Sequence, residues 1–410
     1  MSPWLAPARA LGLLFLAQLV IWFFLFPEEP SIPGAAPKFW SGAAVAKYLM
    51  LTVTLLSAAW LGAVAGRSSG GQELPVDPPG RNLQTASVTA LGLGLLGELI
   101  YARELIFDPA QLLIAFQYAS VADLGMTARA ERVIGLSSLS NLLPIPLAIH
   151  GQLLFAADPG LRRRARRVVG IALGVIVLHG LLLAGRMTVV NAVMILAAAW
   201  LARPAGQRRQ ARRRRGVALA AAVAVLLWGG ETLRSGITFA VPQGVSPLSS
   251  EAQAHVAERL AQGYFGADLN NAFVLFECEP EMQVVGSTPF RFLLSNPLLP
   301  ENCPIWQSAY GTINITGIAW WDLGWLAFPA LAVGGALLGV LYGLTSTIRS
   351  QAVRLLFLIA VPGYAGLLRV NWYASTAFLI PLGYLAVVAL LTAALRGASV
   401  RHMPAEAGLP

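Results

Sequence analysis

Charged residues are scarce in this chain, and apolar runs make up much of its length. Only 12% of the 410 residues are charged, whereas 56% are hydrophobic. Several apolar runs approach the ~20 residues that a helix needs to cross a bilayer, which excludes an ordinary soluble domain. We therefore predict an all-α polytopic membrane protein. The first run, 10–26, lacks the small-residue cleavage pattern of a signal peptide, so we interpret it as the first span.

Lysine is almost absent, because the 29 Lys and Arg residues include only two lysines, and the formal net charge is +9. In a soluble protein this excess of arginine would suggest nucleic-acid binding. Here the arginines cluster in alternate loops between apolar runs, as expected for cytoplasmic loops that orient the spans. The clusters are LRRRARR at 161–167, RRQARRRR at 208–215, Arg67 with Arg81, and Arg349 with Arg354. No nucleic-acid partner is expected.

Hydropathy and loop charge together predict about ten spans, with both termini cytoplasmic. Residues 1–230 would hold the first seven spans, with a short amphipathic outer segment near 104–135. Residues 318–396 would hold the last three, and 397–410 would form a cytoplasmic tail. Between these groups, 231–317 is expected to lie on the membrane as a large outer loop domain of short helices, capping an outward-facing cavity. The predicted spans are 10–26, 42–65, 84–103, 136–156, 168–185, 187–203, 216–230, 318–344, 354–368 and 375–395.

Cysteine is equally rare, since Cys278 and Cys303 are the only two in the chain. Both fall in the predicted outer loop, where an oxidising compartment favours a disulfide between them. Two free thiols are the alternative.

Motifs for metal binding and for nucleophilic catalysis are missing. The four histidines are dispersed: His150 and His179 lie within predicted spans, His255 in the outer loop and His402 in the tail. No G-x-S-x-G motif occurs, and neither cysteine lies near a predicted span, which disfavours serine and cysteine peptidases. We expect no metal and no cofactor.

One arginine breaks the charge pattern. In GRMTVVNAVMILAAAWL, Arg186 lies at the outer boundary between two spans, where the positive-inside bias works against it. It either reaches the headgroups or a loop carboxylate, or it is retained for function. Arg103, Arg234 and Arg369 are predicted at the outer ends of three other helices. Such a ring of guanidinium groups suits a diphosphate, because each planar fork can pair bidentately with phosphate oxygens.

Three stretches carry a resemblance to a known family. They are YGTINITGIAWWDLGWLAFPALAVGGALLGVLYGL from Tyr310, the Arg186 stretch, and GETLRSG with the later GYFGADLNNAF and VVGSTPFRFLL. Together they resemble the large periplasmic loop and flanking helices of bacterial O-antigen and oligosaccharide repeat-unit polymerases. The resemblance covers roughly residues 180–345, and the predicted number of spans fits the family.

The resemblance implies a glycosyltransferase of the bacterial inner membrane that joins glycans carried on undecaprenyl diphosphate, at the periplasmic face. Arg186 would match the family's helix-opening arginine, and Arg234 the arginine at the start of the large loop. Arg103, Arg291 and Arg369 are added by topology and Tyr310 by its place in the motif. A strict Arg-x10-Gly pattern is absent at Arg186 and Arg234. Implied partners are the lipid-linked donor and acceptor, membrane lipids, a chain-length regulator and a flippase.

An acceptor hydroxyl also needs a base. His179 precedes Arg186 by two helical turns, which predicts one shared face, although a hydrogen-bonded core histidine is the alternative. Asp322 could instead cap a helix, and Glu231 could simply pair with Arg234. The candidates are His179, Glu231, Asp268 and Asp322.

Two other functions stay open. A ligase that transfers finished glycan to lipid A core would share the donor, the arginines and the loop. A transporter would be expected to have internal repeats and paired charges deep within its spans. No repeat is apparent, and Lys47 and Glu98 are the only exceptions in nearly uncharged spans.

Overall fold

The computed structural model describes fourteen stretches of the chain, and all its regular secondary structure there is helical. They are residues 3–28, 37–68, 79–103, 107, 136–154, 156, 158–182, 186–202, 228–232, 236–262, 266–278, 313–347, 350–368 and 375–401. No strand occurs among these residues, so the predicted all-α class is confirmed for them.

The main α-helices are numbered in chain order. They are α1 Pro7–Leu25, α2 Gly42–Ser68, α3 Arg81–Tyr101, α4 Pro144–Leu153, α5 Pro159–Leu182, α6 Arg186–Leu201, α7 Ile237–Gln243, α8 Ser250–Ala261, α9 Ala267–Glu277, α10 Ile315–Leu323, α11 Ala327–Thr347, α12 Gln351–Ala360, α13 Gly363–Gly366 and α14 Thr376–Arg401. Short 3-10 helices cover Pro3–Leu5, Ser137–Leu142 and Gly324–Leu326.

Four helices are long and apolar enough to cross a membrane. They are α1, α2 over Gly42–Arg67, α3, and the stretch Ile315–Thr345 formed by α10 and α11. Shorter apolar helices cover Thr188–Leu201, Gln351–Gly366 and Ala377–Leu391. These helices indicate a membrane-embedded chain, while the count of ten spans stays a prediction. Most of the predicted span 216–230 lies outside the described residues.

Two expected span boundaries are wrong. The basic cluster 161–167 is not a loop, because α5 begins at Pro159 and carries those arginines in its first turns. Arginine is a good helix former, so a charged stretch next to an apolar run can simply extend the helix. The predicted span 136–156 is a 3-10 helix followed by the ten-residue α4, which starts at Pro144.

The centre of the fold is a close contact between α2 and α11. Gly335, Gly339 and Gly343 of α11 face the backbone of α2 at Leu55, Ala59 and Ala63, and a Cβ atom on any of them would overlap that backbone. Small residues at intervals of four let two helix backbones approach, which is how helices associate where apolar burial gives no advantage over lipid. The sequence carries this signal in GGALLGVLYG.

Part of the expected outer cap belongs to the bundle core. Helices α7, α8 and α9 are short, as predicted for 231–317, but every side chain of α9 from Ala267 to Phe276 is buried. The hydrogen bonds of Asn270 help to hold α9 in this buried position. Its Oδ1 accepts hydrogen bonds from the Trp22 Nε1 (3.2 Å) and Phe39 N (2.8 Å), and its Nδ2 donates to Pro37 O (3.0 Å). At α9, this segment is thus packed into the bundle and does not lie on it as a separate layer.

Two helix ends meet the middle of α1 inside the bundle. Asn314 caps α10 by accepting from the Thr316 backbone N at 3.0 Å, and its Nδ2 donates to Gln18 Oε1 of α1 at 2.5 Å. Gln18 Nε2 in turn donates to the carbonyl of Leu368, just beyond α13, at 3.1 Å. These bonds satisfy backbone and amide groups that would otherwise be costly to bury.

Candidate functional site

A glutamate and a histidine from two long helices meet at one end of the bundle. Glu98 lies in the last turn of α3, and His179 lies in the last turn of α5. Glu98 Oε2 is 2.7 Å from His179 Nδ1, and the two side chains are only 11% and 13% exposed. This contact is short and largely shielded from water, so it is stronger than the same pair would be on a surface.

The sequence of α3 explains why Glu98 points inward. Ser87, Leu91, Gly94 and Glu98 follow one another at helical spacing and are all buried, which places Glu98 on the packed face. Gly97 lets the 3-10 helix at Ser137–Leu142 approach so closely that a Cβ atom there would lie 2.7 Å from the Leu139 carbonyl carbon. The last turn of α3 is therefore held firmly in place.

The pair has the layout of a base with its orienting group. Nδ1 of His179 contacts the carboxylate, and the Tyr101 ring lies against the imidazole with 5.3 Å between centroids. Among the described residues no group bonds to the other ring nitrogen, Nε2. An imidazole held in this way by a carboxylate can accept a proton at Nε2.

Two of the predicted arginines are close in sequence to the residues of this pair. Arg103 follows the end of α3 by two residues and is half-buried. Arg186 is the first residue of α6, and its side chain lies outside the described part of the structure. Because α5 ends at Leu182, His179 and Arg186 are on two helices, and the expectation that they share one helical face is wrong.

The three carboxylate candidates are all buried. Asp268 is fully buried on α9, and Glu231 is buried just after Trp228. Asp322 is buried in the last turn of α10, before Gly324 with its φ of 52°, so it does not cap the start of a span as the alternative interpretation held. Helices α9 and α10 pack on α2, whereas the Glu98–His179 pair joins α3 and α5.

Several predicted residues lie outside the described residues: Arg234, Arg291, Cys303, Tyr310 and Arg369. Cys278, immediately after α9, is disulfide-bonded. The chain has one other cysteine, so Cys303 is the only partner that it can supply.

Sequence reasoning did not select Glu98 as a candidate site residue. It noted this residue only as an unusual charge within a span, although an ionisable residue within a membrane helix is by default a candidate for a functional site. The partner could not be identified, because His179 is 81 positions away in the chain.

The remaining histidine of the bundle is a core residue. His150 is completely buried on α4, and its Nδ1 lies 2.7 Å from the Ser87 hydroxyl of α3. Within the part of the chain that the structure describes, no three His, Cys, Asp or Glu side chains are grouped so as to hold a metal ion.

No known protein family, curated protein or solved structure matches the chain. The chemistry of the Glu98–His179 pair therefore has to be inferred from its own geometry.

Proposed function

We propose that this protein is a metal-independent glycosyltransferase of the bacterial inner membrane. In this proposal it polymerises undecaprenyl-diphosphate-linked repeat units into a surface polysaccharide at the periplasmic face. The observation that carries the proposal is the shielded Glu98–His179 pair, with 2.7 Å between Oε2 and Nδ1. It supplies an oriented base at the bundle end where Arg103 follows α3 and Arg186 opens α6.

The disulfide supports a periplasmic position for this pair. Cys278 directly follows Glu277, whose carboxylate accepts a hydrogen bond from Ser41 at the start of α2. Disulfides persist in oxidising compartments such as the periplasm, which favours an outward start of α2. If α2 and α3 cross the membrane in succession, the start of α2 and the end of α3 lie on one side. Glu98 in the last turn of α3 is then outward too.

The proposed reaction needs one base and a bound diphosphate. The acceptor hydroxyl oxygen attacks C1 of the donor sugar, the bond from C1 to the diphosphate oxygen breaks, and the hydroxyl proton moves to His179 Nε2. The lipid diphosphate leaves with the electron pair. Positioned general bases contribute roughly 10²–10⁴-fold to such rates.

Arginines would stabilise the charge that grows on the leaving diphosphate, more in the transition state than in the ground state. Loss of one such contact typically costs roughly 10²–10³-fold in rate. The proposed diphosphate ligands are Arg186, Arg234, Arg103, Arg369, Arg291 and Tyr310.

Polymer formation in membranes at matched expression tests the proposal. His179→Gln and Arg186→Ala should each reduce polymer formation by roughly a hundredfold or more, while Arg186→Lys should recover part of it, because an ammonium lacks the bidentate fork. Arg163→Ala is the matched control, since Arg163 is exposed on α5. If His179→Gln and Arg186→Ala form polymer as well as the control, the proposed roles are wrong.

The phenotype of a gene deletion separates the polymerase from the ligase. Single repeat units attached to the lipid A core are expected without the polymerase. Bare core is expected without the ligase.

Transport of a lipid-linked glycan is a second candidate function. It is favoured by two helix ends inside the bundle, at Asn314 and Leu368, which both bond to Gln18 of α1, because transporters commonly bind substrate where helices are interrupted. Purified protein in vesicles distinguishes the two functions. A transporter moves the lipid-linked glycan across the bilayer without forming a bond, whereas the proposed enzyme lengthens the glycan.

A further inference from the structure

We propose that Glu98 is a positioning residue that fixes the tautomer of His179, so that Nε2 carries the free lone pair. The placement of the hydrogen follows from the geometry of the pair. Only the activity readout rests on the proposed glycosyl transfer.

The hydrogen-bond geometry decides between the two tautomers. An ionised carboxylate can only accept hydrogen bonds, so the imidazole nitrogen 2.7 Å from Glu98 Oε2 has to carry the hydrogen. The opposite tautomer would turn the Nδ1 lone pair toward a carboxylate oxygen at that distance. The carboxylate therefore selects the form in which Nδ1 donates and Nε2 can accept.

The surroundings of the pair keep this arrangement rigid. Both side chains are largely buried, so water competes little for either polar group. The Tyr101 ring lies against the imidazole, and the contact at Gly97 fixes the turn of α3 that carries Glu98. Rotation of His179 to exchange its two nitrogens would break the charge-assisted bond and leave a buried carboxylate without this donor.

The same contact would act during the reaction. When Nε2 takes a proton, the imidazole becomes a cation whose Nδ1–H still points at the carboxylate. That attraction is stronger in the protonated form than in the neutral one, so Glu98 stabilises the transition state more than the resting state. Glu98 touches no substrate in this scheme and acts through His179 alone.

The test is nitrogen NMR on the full chain in lipid nanodiscs, with ¹⁵N-labelled histidine at about pH 8, where ordinary imidazoles are neutral. The His179 signals are assigned by their loss in His179→Gln. In the wild-type protein we expect hydrogen on Nδ1 and none on Nε2. Glu98→Gln should give a mixture of tautomers, because a side-chain amide can both donate and accept. Glu251→Gln, on the exposed first turn of α8, should leave the wild-type spectrum unchanged.

Activity supplies the second readout. Glu98→Gln should lower kcat by roughly a hundredfold with little change in KM, since substrate contacts remain. Glu98→Asp keeps the carboxylate and should retain the wild-type tautomer with an intermediate kcat, and it serves as the readout if Glu98→Gln fails to fold.

Three results would overturn the inference: hydrogen on Nε2 in the wild-type protein, an unchanged tautomer in Glu98→Gln, or a lost tautomer preference in a folded Glu98→Asp. If the tautomers behave as expected but the wild-type protein forms no polymer, the proposed function fails and the positioning role stands.

Discussion

Replacing Gly339 with alanine is expected to destabilise the protein, whereas the same change at Gly334 should not. Both glycines lie in α11, but only Gly339 faces α2. A Cβ atom at Gly339 would lie 2.7 Å from the Ala63 backbone nitrogen and closer still to the Ala59 carbonyl oxygen. At Gly334 the added methyl would meet no atom within 4 Å.

The expected loss of stability follows from which atoms would have to move to make room for the added methyl group. A backbone atom cannot rotate aside as a side chain can, so α2 and α11 would have to separate by roughly an ångström along their contact. Overpacking of this kind typically costs about 1–3 kcal/mol of stability. We expect a cost near the upper value here, because the added methyl group would meet backbone atoms of α2 and not a flexible side chain. Alanine is also the better helix former by up to about 1 kcal/mol, but this gain is common to both variants and cancels in the comparison. We expect Gly339→Ala to be about 3 kcal/mol less stable than Gly334→Ala.

The assay is thermal unfolding of the purified variants in one detergent, followed by size-exclusion chromatography of the fraction that remains folded. Gly339→Ala should unfold at a temperature several degrees lower than Gly334→Ala, and Gly334→Ala should match the wild-type protein or slightly exceed it. If the two variants unfold together, the backbone contact between α2 and α11 does not exist as described.

Three further predictions concern other parts of the chain. Cys278→Ser should remove a disulfide that contributes on the order of 3 kcal/mol, measured as a lower unfolding temperature that reductant lowers no further. Ser87→Ala should cost about 1–3 kcal/mol, because it leaves the buried His150 Nδ1 without its partner, and Ser87→Ala with His150→Leu should recover much of that loss in the same assay. Burial, with the nearby charge of Arg259, holds the pKa of His255 below its ordinary value. The unfolded chain therefore binds more protons than the folded one, so the protection factors of the α8 amides, which compare their exchange with that of an unstructured chain at the same pH, should fall as the pH drops below about 6.5, and His255→Phe should abolish this dependence.

The long helices were predictable because their signal is continuous along the chain. Spans expected at 10–26, 42–65 and 84–103 correspond to α1, α2 and α3, each within a few residues. A run of about 20 apolar residues leaves no other structure that satisfies its backbone in lipid. Helices α10 and α11 were harder to predict, since the predicted single span 318–344 is interrupted at Gly324, which has a positive φ.

The buried helix α9 could not have been predicted from hydropathy. Its first turns carry Asp268, Asn270 and Asn271, which make the segment look like a solvent-facing loop. All three are buried, and Asn270 bonds to the backbone of residues that precede it by more than 200 positions. A polar residue is excluded from a core only when it lacks a partner, and the sequence does not show partners at that separation.

The same limit explains why one half of the candidate site was found and the other was not. His179 was identifiable as a candidate base because an imidazole near a ring of arginines suits proton transfer at a diphosphate. Glu98 was visible only as a charge that a membrane helix should avoid. Such a charge is tolerated where another helix supplies a donor, and α5 does so in its last turn, 2.7 Å away. Each residue therefore explains the other: His179 makes the buried carboxylate tolerable, and Glu98 orients the nitrogen that would carry the chemistry.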